Sequence, residues 1–281
     1  MLLDEYRRRE RAHFLRKRRE NVSPTDVGLP EGARRRTPGL RREEVAVLAG
    51  VSPTWYTYLE QARDVSPSPD VLDGLADVLR LTPDERVYLH GLSRQTACQK
   101  PAAGRLSDSW KSLENVASHM LPSPAYICSA HGDLLSWNSA VAEWFTDFEQ
   151  VPAQERNILI WMFTSAKARD CFVDWEEQAQ HSIARFRAET TDWLDSPHIT
   201  SLVTYLSKVS SHFRLWWEEH RVAGPAPRNH CIHHPRHGVL TVQTVELLHL
   251  DPTGTAKLVV HTPLSELPTP AVRQPEVAAH A

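Results

Sequence analysis

Residues 40–64 read LRREEVAVLAGVSPTWYTYLEQARD, and the corner at Ala49, Gly50 and Val51 constrains the fold more than any other stretch. Two short apolar-periodic runs meet there, with Val45 and Ala46 before the glycine and Tyr56 and Leu59 after it. Glycine takes a turn that a Cβ would oppose, and Ala46 and Ala49 are small enough for two helices to cross closely. The second run opens on Ser52-Pro53, a hydroxyl cap followed by a residue with no N–H to lose. Ser68-Pro69 and Thr82-Pro83 repeat the signal, and Glu85 completes a capping box with Thr82. Helical spacing follows each start, through Val71, Leu72, Leu75 and Val78, then Tyr88, Leu89 and Leu92. With a basic helix over 4–21 and another over 40–49, residues 1–94 predict a five-helix domain.

Beyond this point the pattern changes. Residues 95–106, QTACQKPAAGRL, have linker composition. AYIC and LLSW flank SAHGD as two strands around a turn, followed by a helix carrying Val141, Trp144 and Phe145. Helical runs are expected over 156–163, 172–186, 199–209 and 213–220. HCIHH, GVLTVQTVELLHL, the turn DPTG and TAKLVVHT then close the segment with β signals. Residues 107–265 therefore predict an α+β domain whose antiparallel strands come from both ends of the segment. Residues 266–281, rich in Pro and Ala, read as a fraying tail.

The formal net charge is −3 over 281 residues, yet arginine concentrates in the first fifth, at Arg7 to Arg9, Arg16 to Arg19, Arg34 to Arg36, Arg41 and Arg42. That asymmetry is more informative than the sum. The four cysteines lie far apart without C-x-x-C spacing, which disfavours a disulfide framework or a thiolate zinc site. The first residues, MLLDEYRRRERAHF, place charges where a secretory signal needs an apolar core, and no run approaches a membrane span. The expectation is a cytoplasmic protein.

If the helix after Gly50 enters a major groove, its first turn and the residues one turn later face the bases, opposite the buried Tyr56/Leu59 stripe. That selects Pro53, Thr54, Thr57 and Tyr58, with Ser52 and Trp55 at the flank. Thr54 and Tyr58 carry groups that hydrogen-bond base edges. Arg41 and Arg42 open the preceding helix and suit phosphates, and Arg34, Arg35, Arg36 and Arg63 extend the basic set.

The stretch RRRTPGLRREEVAVLAGVSPTWYTYLEQARDVSPSPDVLDGLADVLRL resembles the helix-turn-helix of XRE/Cro-like regulators, in particular the MmyB-like branch. The long basic insert over 21–39 is part of the resemblance, which implies a lambda repressor-like domain and a double-stranded DNA operator as partner. One departure is Ala62, where the family usually has glycine; a positive φ there would strain the loop.

The resemblance continues through PAYICSAHGDLLSWNSAVAEWF, ERNILIWMF, DWEE, FRLWWEEH and HHPRHGVLTVQ, to about residue 263. These look like MmyB-like ligand-binding-domain motifs and imply a PAS-like antiparallel sheet with helices closing a cavity for a fatty acid or other small apolar ligand, with no cofactor. Eight of the nine tryptophans follow the linker, and such rings make rigid apolar walls, each with one N–H to orient a polar head. The candidate ligand residues are Trp137, Asn138, Trp144, Trp161, Phe163, Trp175, Phe213, Trp217 and His234. Burying a dozen acyl CH₂ groups contributes roughly 10 kcal/mol before ordering costs. A carboxylate head needs a donor; Ile160 stands where the family pattern has a basic residue, leaving Arg156, His220 or His234.

Other chemistries are weaker. HCIHHPRH invites a metal, but on a strand His230, Ile232 and His234 face one way and Cys231 and His233 the other, so they cannot all converge on one ion. Serine-hydrolase, nucleotide-loop and zinc-protease motifs are absent. The sequence thus predicts a multidomain fold, α followed by α+β, in a homodimeric, non-enzymatic regulator without a metal site. The alternative is a lipid-binding protein or hydrolase-like enzyme with an accessory DNA-binding domain.

Overall fold

The computed structural model describes residues 2–30, 39–94, 108–251 and 254–265. Arg34, Arg35, Arg36, the expected linker over 95–106, the centre of the DPTG turn and the expected tail over 266–281 lie outside the described residues.

The first third forms the five helices expected: α1 (Leu2–Asn21), α2 (Arg42–Leu48), α3 (Pro53–Glu60), α4 (Pro69–Val78) and α5 (Pro83–Ser93). Each hydroxyl-proline signal works as a cap. The Ser52 Oγ accepts from the Trp55 N–H (3.1 Å), Ser68 Oγ from Val71 N–H (3.4 Å), and Thr82 and Glu85 exchange both bonds of a capping box. Gly50 has φ +68°, with nothing near the position a Cβ would occupy, so its role is backbone conformation. Phe14, Leu15, Val45, Tyr56, Leu59, Leu75 and Leu89 fill the core between the helices.

Beneath the corner lies an ion triad. Glu60, 1 % exposed, accepts from Arg19 Nε (2.6 Å) on α1 and from Arg42 Nε (2.7 Å) on α2. Burial works against the Glu60 charge, but the two guanidinium hydrogen bonds outweigh it and hold the carboxyl below its usual range. Three helices are thereby pinned around one carboxylate.

The remainder is an antiparallel five-stranded sheet with helices. Its strands are β1 (Ala125–Ser129), β2 (Leu134–Trp137), β3 (Arg228–His234), β4 (Gly238–Asp251) and β5 (Gly254–Pro263), in the order β2-β1-β5-β4-β3. Strands from both ends of the segment meet where β1 pairs with β5, Tyr126 opposite Val259. Alternation divides the faces. Ala125, Ile127, Ala256, Leu258 and Val260 pack under α6 (Ser112–Ser118). Tyr126, Cys128 and Val259 face the larger core, covered by α7 (Ser139–Trp144), α8 (Ile158–Thr164), α9 (Ala166–Cys171), α10 (Trp175–Glu189), α11 (Pro197–Val209) and α12 (Ser211–Trp217).

The run expected over 172–186 does not start at Phe172. Phe172 forms an isolated antiparallel bridge with Ile232, and the Val173 N–H donates to the Cys231 carbonyl (3.0 Å). β3 is an edge strand, and pairing its open backbone groups there outweighs one more helical turn.

Ala62 has φ +57°, so the strain expected at this departure is present. The left-handed conformation costs a Cβ-bearing residue roughly 1–2 kcal/mol. Ala62→Gly should raise unfolding stability by about 1 kcal/mol in urea titrations, with an unchanged m-value.

Candidate functional site

The recognition surface follows from the corner. Tyr56 and Leu59 are buried, and Ser52, Pro53 and Thr54 are exposed on the opposite side of α3. Thr57 and Tyr58 are half-buried; the Thr57 hydroxyl donates to the Pro53 carbonyl (2.8 Å), and the Arg63 guanidinium lies 4.4 Å from the Tyr58 ring centroid. Trp55 packs partly against the helical core. Arg41 is exposed, whereas Arg42 is partly exposed and its Nε donates to Glu60, the carboxylate it shares with Arg19.

A second site lies between the sheet and the helices, a cavity of about 120 Å³. One wall is apolar, made by Phe145, Trp161, Met162, Phe172 and Phe186. The opposite wall is polar. It comes from alternate residues on three strands, Lys257 and His261 on β5, Thr244 and Glu246 on β4 and His230 on β3, with Arg185 and Glu189 reaching in from α10. Register makes the wall continuous: Thr244 stands opposite His261 and Glu246 opposite Val259.

The charges in this wall neutralise one another. Lys257 Nζ donates to both Glu189 oxygens (2.9 and 3.0 Å) and lies 3.5 Å from Glu246. Arg185 binds Glu189 and Glu246 as well. Burial opposes the charge on Glu246, yet Lys257 and Arg185 hold its carboxyl below the ordinary range. The imidazoles are neutral instead. Burial and the nearby Arg228 charge push His230 down to about 4, and burial beside His230 pushes His261 down to about 3.

Of the residues the sequence picked out for a ligand, Trp161 lines this cavity; the other eight do not. Asn138 is structural: its Oδ1 accepts from Ala125 N–H and its Nδ2 donates to the Ala117 and Ser123 carbonyls. Trp144 packs edge-on against His234, and the His234 Nδ1 accepts from the backbone N–H groups of Arg236 and His237. Phe163, Trp175 and Phe213 form an aromatic layer with Trp216 among the helices. Trp217 stacks on Phe213 and carries the Arg187 guanidinium 3.8 Å from its centroid. Trp137 lies under Arg156, at 5.5 Å. The three expected anchors are elsewhere too, since Arg156 donates to the Val151 and Glu149 carbonyls and His220 belongs to the contact described below. Rings at helical spacing served packing. The overlooked signal was polar residues at alternate positions of apolar strands, in TVEL and AKLVVH.

Three metal-capable side chains, His131, Asp133 and His198, bring donor atoms within 4.8 Å of one another. Both Asp133 oxygens are already engaged, by Asn157 Nδ2 (2.9 Å) and by Ser129 Oγ and His198 Nε2 (3.1 and 3.0 Å). The cluster ties α11 to the β1–β2 turn. In the HCIHHPRH stretch, His230 and His234 are buried and His233 is exposed, the alternation expected of a strand.

The helical core and the sheet domain meet around a half-buried carboxylate. Glu10 on α1 accepts from Tyr88 Oη (2.8 Å) and from Arg187 on α10, and its Oε1 lies 3.0 Å from His220 Nδ1. Burial works against its charge, but Arg187 and His220 hold it well below the usual carboxylate range. Around it, Arg7 pairs with Asp192 (2.8 Å), Arg18 donates to the His220 carbonyl (2.7 Å), and Gly224 N–H donates to Asp84 (2.7 Å). A Cβ on Gly224 would stand 2.1 Å from the Asp84 carboxylate, so this close approach requires glycine.

Residues 111–272 match the family model of the MmyB-like transcription regulator ligand binding domain, and residues 8–89 match that of a helix-turn-helix domain. The chain belongs to the MmyB-like transcription regulators: a DNA-binding helix-turn-helix domain is joined to a ligand-binding domain. No curated protein matches it. Among the described residues no helix is long and apolar enough to cross a membrane.

Removing one partner from a buried ion pair costs about 3–5 kcal/mol, because the other charge is left uncompensated. Arg187→Met should destabilise the protein by about that amount, and adding Glu10→Gln should recover at least 1 kcal/mol of it. Urea unfolding of both single variants and the double variant checks this.

Proposed function

We propose that this protein is a cytoplasmic, homodimeric transcription regulator. In this reading α3 lies in the major groove of a near-palindromic operator, and occupancy of the sheet-domain cavity by a small, largely apolar molecule alters operator binding. Pairing of half-sites by paired recognition helices is the reason for the dimer. The strand order β2-β1-β5-β4-β3, with α7 to α12 over one face and α6 on the other, supports the PAS-like reading of the sensor. In this reading the chain divides into residues 1–94 and 107–265, joined by 95–106, and the separate hydrophobic clusters of the two parts support that division.

The observation that carries the coupling is the position of α10. Its residues Gln178, His181, Arg185, Phe186 and Glu189 line the cavity. Arg187, on the same helix, is 1 % exposed and bonds Glu10 of α1. One helix thus touches the ligand space on one side and the DNA-binding domain on the other. A displacement of α10 on ligand binding changes where α1 sits, and a coupling of about 1–3 kcal/mol suffices to alter operator occupancy.

Within the recognition surface, Thr54 and Tyr58 read base edges. Ser52, Pro53, Trp55 and Thr57 shape the approach. Arg41, Arg63 and the arginines at 34–36 meet phosphates, and Arg42 contributes mainly by fixing α2 through Glu60.

An unbiased duplex selection with the full chain should enrich a near-palindromic site; indifference to every duplex would refute the reading. On that site Thr54→Ala should relax base preference by ~1–3 kcal/mol at one position, whereas Arg41→Ala should weaken all sequences alike and reduce the log–log salt slope by about one. Gel-shift titrations across salt distinguish the two.

A further inference from the structure

The segment that leads from α12 to β3 touches both halves of the chain. It leaves the helix through His220, whose φ of +52° turns the backbone in the left-handed sense. His220 is held to α1 twice, its carbonyl accepting from Arg18 (2.7 Å) and its Nδ1 lying 3.0 Å from Glu10 Oε1. Val222 then packs against the helical core, and the Gly224 N–H donates to the Asp84 carboxylate on α5 (2.7 Å). The next two residues, Pro225 and Ala226, belong to the wall of the sheet-domain cavity.

Among the described residues that line this cavity, Pro225 and Ala226 alone are exposed; the others are buried or half-buried. The strap over 221–227 is therefore the part of the wall that stands between the cavity and solvent, and lifting it opens a way in.

Two sets of contacts hold the strap down. On the α10 side the Ala223 N–H donates to the Ala184 carbonyl at 3.3 Å, and Arg221, an exposed residue, reaches Gln180 (2.8 Å). On the side of the DNA-binding domain the acceptor is a carboxylate at 2.7 Å, and such charge-assisted bonds are roughly twice as strong as neutral ones. The approach is close as well, since a Cβ on Gly224 would stand 2.1 Å from Asp84. Pro225 and Pro227 have a fixed φ and no N–H, so the strap beyond Gly224 tilts as a stiff piece rather than refolding. The stronger latch thus lies on the other domain.

We propose that residues 221–227 are a gate over the cavity, kept shut by the DNA-binding domain through Asp84, so that a ligand enters or leaves when the two domains part at this latch. The proposal rests on the reading of this cavity as the sensor site. It adds a second link to the one through α10: docking of the helical domain favours the shut gate, and by linkage whatever holds the gate open weakens the docking.

Thiol labelling of the full chain with methyl methanethiosulfonate, a small uncharged reagent, read site by site by peptide mass spectrometry, tests the gate. A thiol introduced by Met162→Cys reports entry, because Met162 lines the cavity; the native Cys171, buried outside it, reports unfolding. In that background Asp84→Ala should raise the labelling rate of the introduced thiol, relative to Cys171, by about tenfold or more, as expected for the loss of a charge-assisted bond. Gly224→Ala, which forces the strap away from the same carboxylate, should do likewise. Asp84→Asn keeps an acceptor for the Gly224 N–H and should restore most of the slow rate. Asp77→Ala, which removes an exposed carboxylate paired with Arg86 on the same domain, should change nothing. A rate unchanged in both latch variants, or raised only in step with Cys171, would overturn the gate. 1-Octanol and octanoate, added to the Asp84→Ala protein, test the underlying reading separately: protection of the introduced thiol by either supports the sensor site, and protection by neither refutes it for small apolar ligands, while a latch-dependent rate still upholds the gate.

Discussion

Glu10 is the contact on which the arrangement of the whole chain depends. Each half has its own hydrophobic core, and the apolar contact between them among the described residues is small, Leu194 and Val222 packing against the helical core. The Glu10 carboxylate fixes one docking, because moving it away from Arg187 would leave two ions out of water without compensation. Desolvating such a pair costs several kcal/mol per ion, offset here by the Tyr88 hydroxyl, the His220 ring, the Trp217 carbonyl and its aromatic face. The result is a geometrically exacting junction rather than a strongly stabilising one.

The same logic applies in the DNA-binding half. Glu60 draws Arg19 inward and tethers the partly exposed Arg42, so part of the basic composition that suggests a nucleic-acid surface goes into building the helix pair. Arginine counts therefore overstate the positive surface, and burial decides which guanidinium groups remain for phosphates. In the sheet half, the ions of the cavity wall likewise pair with one another, Lys257 and Arg185 with Glu189 and Glu246.

The glycine corner, the three hydroxyl-proline caps, the five strands and their origin in both ends of the segment were legible in the sequence. They are short-range properties, set by φ preferences, cap chemistry and alternation. The positive φ at Ala62 was legible as well, because a departure from an expected glycine has a backbone consequence. Among the tryptophans expected at a ligand, Trp161 lines the cavity. A ring at helical spacing packs against whatever lies opposite, and Trp144, Trp175 and Trp217 have other side chains of the protein as ring neighbours.

By itself, then, the sequence determined the elements, their order and the family, since those depend on residues close together in the chain. Only the tertiary structure decided which side chains share the cavity and which join the halves. His230, Thr244 and His261 become neighbours through strand register, and Glu10 and Arg187, 177 residues apart, through the docking of two separate cores. Neither relation leaves a local pattern, because each polar residue is placed by a partner far away in the chain.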